Sequence, residues 1–233
     1  MAIKLTNTHV GTIYSQTRLL SYKTLFSWYS GLLKPKPIKP PHKHIIQIGD
    51  PRLRAVSQPV PYDDIYTEKI QSLVKHLAGI FKKYNCIGLS APQVGVQLRI
   101  FIMGLNEKSL QEYSPKERKL KEITLIKPMV IINPEVKILD FKKLVFSESC
   151  GSIKGFCADV PRYYSLELKG FNEIGEHINM NATGFTARII QHEMDHLDGK
   201  LYTDSMDRKT LSCTCWEVVN DRNGKVELPY GPV

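Results

Sequence analysis

No run of about 18 or more apolar residues occurs in this 233-residue chain, so no segment reads as a membrane-spanning helix. Cysteine is sparse and odd in number, five residues, which argues against a disulfide-stapled secreted scaffold. Internal repeats are absent. Acidic residues are missing from the first 49 positions, where seven Lys and Arg stand alone before Asp50. What is present is ordinary: 42% hydrophobic and 24% charged residues describe a chain able to bury a core. The length suits one catalytic-sized domain with an appendage.

The net charge of +9 therefore misleads as a nucleic-acid signal. Of the 32 basic residues, 25 lie beyond position 49 and face all 23 acidic ones, which leaves that body at +2. No nucleic-acid partner is expected on that balance. A leader without acids, with scattered Lys and Arg and many Ser, Thr and Tyr, has the composition of an organelle transit peptide. Residues 1–33 are expected to be a mitochondrial transit peptide that sends the chain to the matrix. Residues 34–44, with the run KPKPIKPP, read as an extended linker, because proline fixes φ and removes donors. The body is expected over 45–207 and a C-terminal tail over 208–233.

Within the body, Ile70, Leu73, Val74, Leu77, Ile80 and Phe81 recur at helical spacing, and Asp63 or Asp64 is positioned to cap a helix running to about Tyr84. His76 falls on its surface or core edge. An apolar strand follows at Leu98–Gly104, then a charged stretch, 106–122, that reads as a solvated loop or insertion. Strands are expected at Met129–Ile132 and Val136–Phe141, separated by the turn signal Asn133-Pro134. A strand at Tyr163–Leu168 turns through Asn172–Glu176 into Ile178–Met180. Thr183 is placed to cap a helix from Gly184 to Leu197, and Gly199 to stop it. The pattern predicts an α+β fold, with short antiparallel strands around a C-terminal helix and an amphipathic helix near the N-terminus.

The chemistry concentrates in that last helix, at His192-Glu193-Met194-Asp195-His196. Positions i and i+4 lie about 40° apart around a helix and ~6 Å along it, so both imidazoles can reach one metal ion. Glu193 falls beside that ion, where a general base for an activated water belongs. A third ligand is needed. The downstream pattern of the HExxH proteases fails, because Tyr202 stands where its third His would be. Glu217 is an alternative ligand, but Cys150, in ESCGS on a polar turn after an apolar strand, is the strongest one. Cys86 and Cys157 read as small buried hydrophobes, Cys213 and Cys215 as free thiols. Gly88–Gly95 (GLSAPQVG) is a tight stretch of small residues in which Gln93 presents an amide donor suited to an oxyanion.

In that order, GLSAPQVG, ESCGS and QHEMDHLDG resemble the three signature motifs of the peptide deformylases. The resemblance spans roughly 45–207 and includes Asn133-Pro134, Val160-Pro161-Arg162 and Gly184–Arg188. It implies the deformylase fold and hydrolysis of the N-formyl group from the formyl-methionine of newly made polypeptides, with release of formate. It implies that Cys150, His192 and His196 hold one divalent metal, that Glu193 is the catalytic acid/base, and that Gln93 and the Gly151 N–H stabilise the oxyanion. Gly88, Leu89 and Ile189 would contact the substrate. A thiolate ligand suits Fe(II) as well as Zn(II), with Co(II) a further fit. Transient contact with the mitochondrial ribosome follows from a nascent-chain substrate.

Three positions depart from the family pattern: Ser149 stands for Gly and Gly151 for Leu in the second motif, and Cys86 for the Gly that often opens the first. Without a side chain at Gly151 to fix the loop, a slow enzyme is expected, one that Gly151→Leu would accelerate. Two rival readings remain open at this level: an HExxH zinc endopeptidase, and an inactive paralogue acting as a binding protein.

Overall fold

The computed structural model describes residues 39–231; the expected transit peptide and the linker up to Ile38 lie outside them. Helix α1 spans Glu68–Lys83 and strand β1 Gly88–Ser90. Strand β2 spans Ile100–Leu105, followed by two short helices, α2 (Glu107–Gln111) and α3 (Pro115–Lys121). Two long strands, β3 (Ile126–Cys150) and β4 (Ile153–Phe171), lead to β5 (His177–Thr183) and helix α4 (Gly184–Leu197). A two-residue strand, β6 (Ser212–Cys213), and helix α5 (Trp216–Asp221) follow. The sheet is antiparallel in the order β1-β2-β3-β4-β5, with β6 on the free edge of β4. This is the α+β fold expected from the sequence.

The core explains the apolar run of β2, whose six residues are all buried. Successive strand side chains point to opposite faces. Ile100 and Ile102 pack with Leu73, Leu77 and Ile80 of α1, whereas Phe101 and Met103 pack with Phe185, Ile190 and Leu197 of α4. The sheet is covered on both sides there, so neither face of β2 needs a polar residue. Burying a Leu or Ile side chain contributes about 1.5–3 kcal/mol, so these two layers fix the strands that carry the site.

Several local expectations need correction. Helix α1 begins after Thr67, not at Asp63 or Asp64, which lie in a separate 3-10 turn, Tyr62–Tyr66. Thr67 is extended (φ −69°, ψ 148°), and its hydroxyl donates back to Asp64 O at 2.6 Å, closing that turn before the helix starts. The 106–122 stretch is largely helical: Asn106 caps α2, and Ser114 forms a capping box with Glu117 around Pro115 in α3. Asn133-Pro134 is no turn between two strands but an irregularity inside β3, where the register shifts. Asn133 there adopts φ 52°, and its side chain bonds both the N–H and the C=O of Val60, at 2.8 and 2.7 Å. Thr183 precedes α4 without a side-chain cap, because its hydroxyl donates to Glu122 instead. Residues beyond 207 continue onto the sheet: Asp159 N–H donates to Thr210 Oγ1, and Cys213 pairs with Phe156.

Candidate active site

Helix α4 buries Phe185, Ile189, Ile190 and Leu197 in the core, which turns His192, Glu193 and His196 towards the end of β3. At that end Glu148 and Cys150 are buried while Ser147 and Ser149 are exposed, the alternation a strand imposes. Cys150 Sγ lies 3.2 Å from His196 Nε2, and the imidazoles of His192 and His196 are 5.1 Å apart. One donor atom each from Cys150, His192 and His196 falls within 4.8 Å of the others. Cys150 is thus the third member of the cluster. Glu217, the alternative, is exposed on α5 and outside it.

Of the two histidines, His192 has an orienting partner, whereas His196 Nδ1 is buried with none among the described residues. Glu148 Oε2 lies 2.9 Å from His192 Nδ1, and an ionised carboxylate can only accept, so Nδ1 carries a proton and, in the neutral ring, Nε2 is the atom left to ligate. Such an outer partner fixes the tautomer of a ligating imidazole. Glu148 is itself held by a two-point bond with Arg162, both distances 2.9 Å, and by Arg188 at 2.7 Å. Burial raises its pKa, but His192 and Arg162 pull harder and hold it down at about 2. Arg162 also reaches Asp195 on α4 at 2.6 Å, and Arg188 donates to the carbonyls of Val160 and Leu144. The network ties helix to hairpin. Burial opposes ionisation of Cys150, yet the adjacent His196 and His192 bring its thiol well below the ordinary range, which favours a thiolate ligand.

Glu193 stands apart. Its Oε2 is buried without a hydrogen-bond partner among the described residues, and burial raises its pKa despite the nearby histidines. The carboxylate approaches β1 where there is no side chain: a Cβ on Gly88 would lie 2.2 Å from Glu193 Oε1. Gln93 sits in the 3-10 turn Ala91–Val94, stopped by Gly95 in the left-handed region (φ 86°). Its Oε1 accepts from Ser90 N–H at 2.9 Å and from Ser90 Oγ at 3.2 Å, so the amide NH₂ must face the cluster. There Nε2 donates to Ser152 Oγ at 3.2 Å and lies 3.6 Å from Cys150 Sγ.

These groups open into a cavity of about 510 Å³ whose apolar walls include Ile45, Ile87, Phe146, Phe185 and Ile189. Gly88 and Ile189 line it. Leu89 does not. It is fully buried with Leu73 and Leu77 on the α1 side, because strand alternation turns it away from the face on which Gly88 meets Glu193. Cys86 also borders the cavity as a half-buried thiol, its pKa pushed up to about 12 by burial. The sequence reading missed Ile45, Ile87 and Phe185, whose apolar character carries no site signal, and the work of Glu148, whose alternation with Cys150 was the available clue.

A sequence profile of the polypeptide deformylases matches residues 42–212. The chain belongs to that family. It is 39% identical over 185 residues to the mitochondrial peptide deformylase of Homo sapiens, covering 79% of this chain and 76% of the human protein. Identity to peptide deformylase 1A, chloroplastic/mitochondrial, of Arabidopsis thaliana is 38% over 193 residues, 82% of this chain and 71% of the plant protein. The peptide deformylase of Thermotoga maritima superposes with a TM-score of 0.59 at 28% identity, over 71% of this chain and 98% of the bacterial one. That of Ehrlichia chaffeensis gives 0.61 at 26% identity, over 71% and 88%.

One departure from the deformylase pattern looks different in three dimensions. Gly151 does not leave its loop unfixed. A Cβ built there would sit 3.0 Å from Ile45 Cδ1, so Ile45 already fills the place a leucine would take. The ground for a faster Gly151→Leu enzyme falls away, since that side chain would have to push Ile45 aside.

Proposed function

We propose that this deformylase removes the N-formyl group from the N-terminal methionine of newly made polypeptides, releasing formate, with Glu193 as acid/base beside an ion held by Cys150, His192 and His196. The observation that carries the reading is the convergence of one sulfur and two imidazoles next to a buried carboxylate whose Oε2 has no hydrogen-bond partner among the described residues. The donor set fits a divalent cation: three protein ligands leave a coordination position open, and a thiolate beside two neutral imidazoles suits Fe(II) and Zn(II), with Co(II) also accommodated. Such an ion, when bound, supplies Lewis acidity that polarises the formyl oxygen and lowers the pKa of water.

The chain's own groups supply the remainder. Glu193, kept basic by burial, accepts the proton of the attacking water and returns it to the departing amine. Gln93 Nε2 and the Gly151 N–H face the oxygen as it gains charge; removing one such donor typically costs about 10²–10³ in rate. The apolar walls at Ile45, Ile87, Phe185 and Ile189 suit the unbranched thioether of methionine. No described helix is long and apolar enough to cross a membrane. The organelle assignments of the human and plant relatives, with the acid-free leader, support an organellar site of action, and we place it in the mitochondrial matrix. Contact with the ribosome there would be transient.

The test is anaerobic formate release from a formyl-methionyl peptide by purified protein loaded with Fe(II) or Co(II). Glu193→Ala should keep the metal and lose the activity, and Cys150→Ala should lose both. Metal retention in Cys150→Ala, or cleavage of internal peptide bonds instead of formate release, would overturn the reading.

A further inference from the structure

We propose that Gln47, outside all three motifs, is a positioning residue that orients the turn carrying the Gly151 N–H. The inference rests on the role given to that N–H above. Cys150, the last residue of β3, pairs with Ile153, the first of β4, so Gly151 and Ser152 form a two-residue turn. Glycine is the residue least able to fix its own backbone, because it lacks the Cβ that restricts φ and ψ. A donor on such a residue points reliably only if something outside the turn holds the flanking peptide planes. Preorganisation of this kind is what makes an oxyanion donor effective.

Gln47 spans the outside of that turn with its single amide. Its Nε2 donates to Gly151 O at 2.8 Å, and its Oε1 accepts from Lys154 N–H at 3.3 Å. The same Nε2 lies 3.2 Å from Ile45 O, which holds the amide to its own strand of chain. One residue on, Ile48 N–H donates to Ser152 O at 2.8 Å. Both carbonyls of the turn are therefore engaged from outside, while Gly151 N–H makes no backbone hydrogen bond among the described residues. Ile45 occupies the space beside Gly151, its Cδ1 3.0 Å from where a Cβ would stand, and both residues line the cavity.

This segment is also bonded to the other oxyanion donor. His42 N–H donates to Val94 O at 2.8 Å, and Ile46 N–H to Gln93 O at 2.9 Å. Residues 42–48 thus form a strap joining Gln93 and Gly151, two donors from distant parts of the sequence that must converge on one oxygen. Gln47 does not line the cavity, so it acts through the turn and not on the substrate. It holds the turn's peptide planes by hydrogen bonds, beside the packing of Ile45 against Gly151.

The experiment uses the full chain with the same metal loaded in wild type, Gln47→Ala and Gln47→Met, the last keeping bulk while removing the amide's three hydrogen bonds. Readouts are kcat and KM on a formyl-methionyl peptide, metal content, melting temperature, and amide hydrogen exchange across residues 149–154. Both variants are expected to lose about tenfold in kcat with KM within about twofold, a partial loss of one donor's typical contribution. Metal content should stay stoichiometric, and exchange should speed up only in the turn. A Gln47→Met enzyme with wild-type kcat and unchanged turn exchange overturns the proposal, as does a fall in kcat that follows lost metal. An inactive wild type, or full activity in Glu193→Ala, would instead overturn the proposed function itself. Should Gln47→Ala fail to fold, Gln47→Met and the exchange data still decide.

Discussion

Glu148 and Glu193 lie on either side of His192 and are almost equally buried, 8% and 3% exposed. Burial alone gives them nothing to differ by. Glu148 accepts from Arg162, Arg188 and His192, and its pKa falls to about 2. Glu193 has a buried oxygen with no partner, and its pKa rises. The partnered carboxylate is an anchor whose charge is committed to holding the helix, the hairpin and one imidazole in register. The other carries a desolvation penalty that the nearby His196 and His192 offset only in part. Such a penalty persists where it serves chemistry, since a base already hydrogen-bonded to arginine has no affinity left for a proton.

Breaking the contrast from the Glu193 side should give the largest effect. Glu193→Gln is expected to cut kcat by about 10²–10⁴ while melting temperature stays level or rises, because the desolvation of its buried carboxylate outweighs the help of the nearby histidines; calorimetry and a formate assay check both. Glu148→Ala should do the reverse in kind. It strands two buried guanidinium groups, which costs about 3–5 kcal/mol in denaturant unfolding. Metal affinity, read by competition with a chelator, should weaken about 10–100-fold, as when the orienting partner of a ligating histidine is lost.

A smaller change sharpens the comparison without touching either carboxylate. Gly88→Ala would put a Cβ 2.2 Å from Glu193 Oε1. The base must swing aside, and kcat should fall about 10²-fold, the scale of a displacement near 1 Å. Metal content should not change, because the atoms nearest that Cβ all belong to Glu193 and none to Cys150, His192 or His196. The smallest effect is on Cys86, whose thiol is held near 12 by burial and, secondarily, by the charge of Glu193. Iodoacetamide should modify it very slowly at pH 8, where almost no thiolate forms. In Glu193→Gln the rate should rise modestly; the same replacement at Glu148 should leave it alone.

Much of this was legible in the chain. The HExxH spacing placed two imidazoles on one side of a helix because 3.6 residues per turn leaves no other arrangement, and α4 runs from Gly184 to Leu197 as the pattern indicated. The apolar period of α1 marked Ile70 to Ile80 as core. Misreadings fell where one local signal has two meanings. Asn133-Pro134 has turn chemistry, yet long-range bonds from Asn133 to Val60 carry β3 straight through it. Serine, proline and glutamate at 114–117 have loop composition, yet they form a capping box. Leu89 belongs to a motif by sequence and to the opposite core by strand alternation.

The sequence by itself determined which side chains have the chemistry to hold an ion, move a proton and offer an amide, because ligand type, acidity and helical period are properties of residues and short spacings. The tertiary structure decided that Cys150, the strongest candidate by residue type, lies within reach of both imidazoles, and it alone decided that Glu148 is held by arginines while Glu193 Oε2 has no partner, and that a strap at 42–48 joins Gln93 to Gly151. Those outcomes depend on which groups exclude water from one another across separations of some 40 to 100 residues. No local pattern encodes that exclusion; only the packed sheet and its two covering helices impose it.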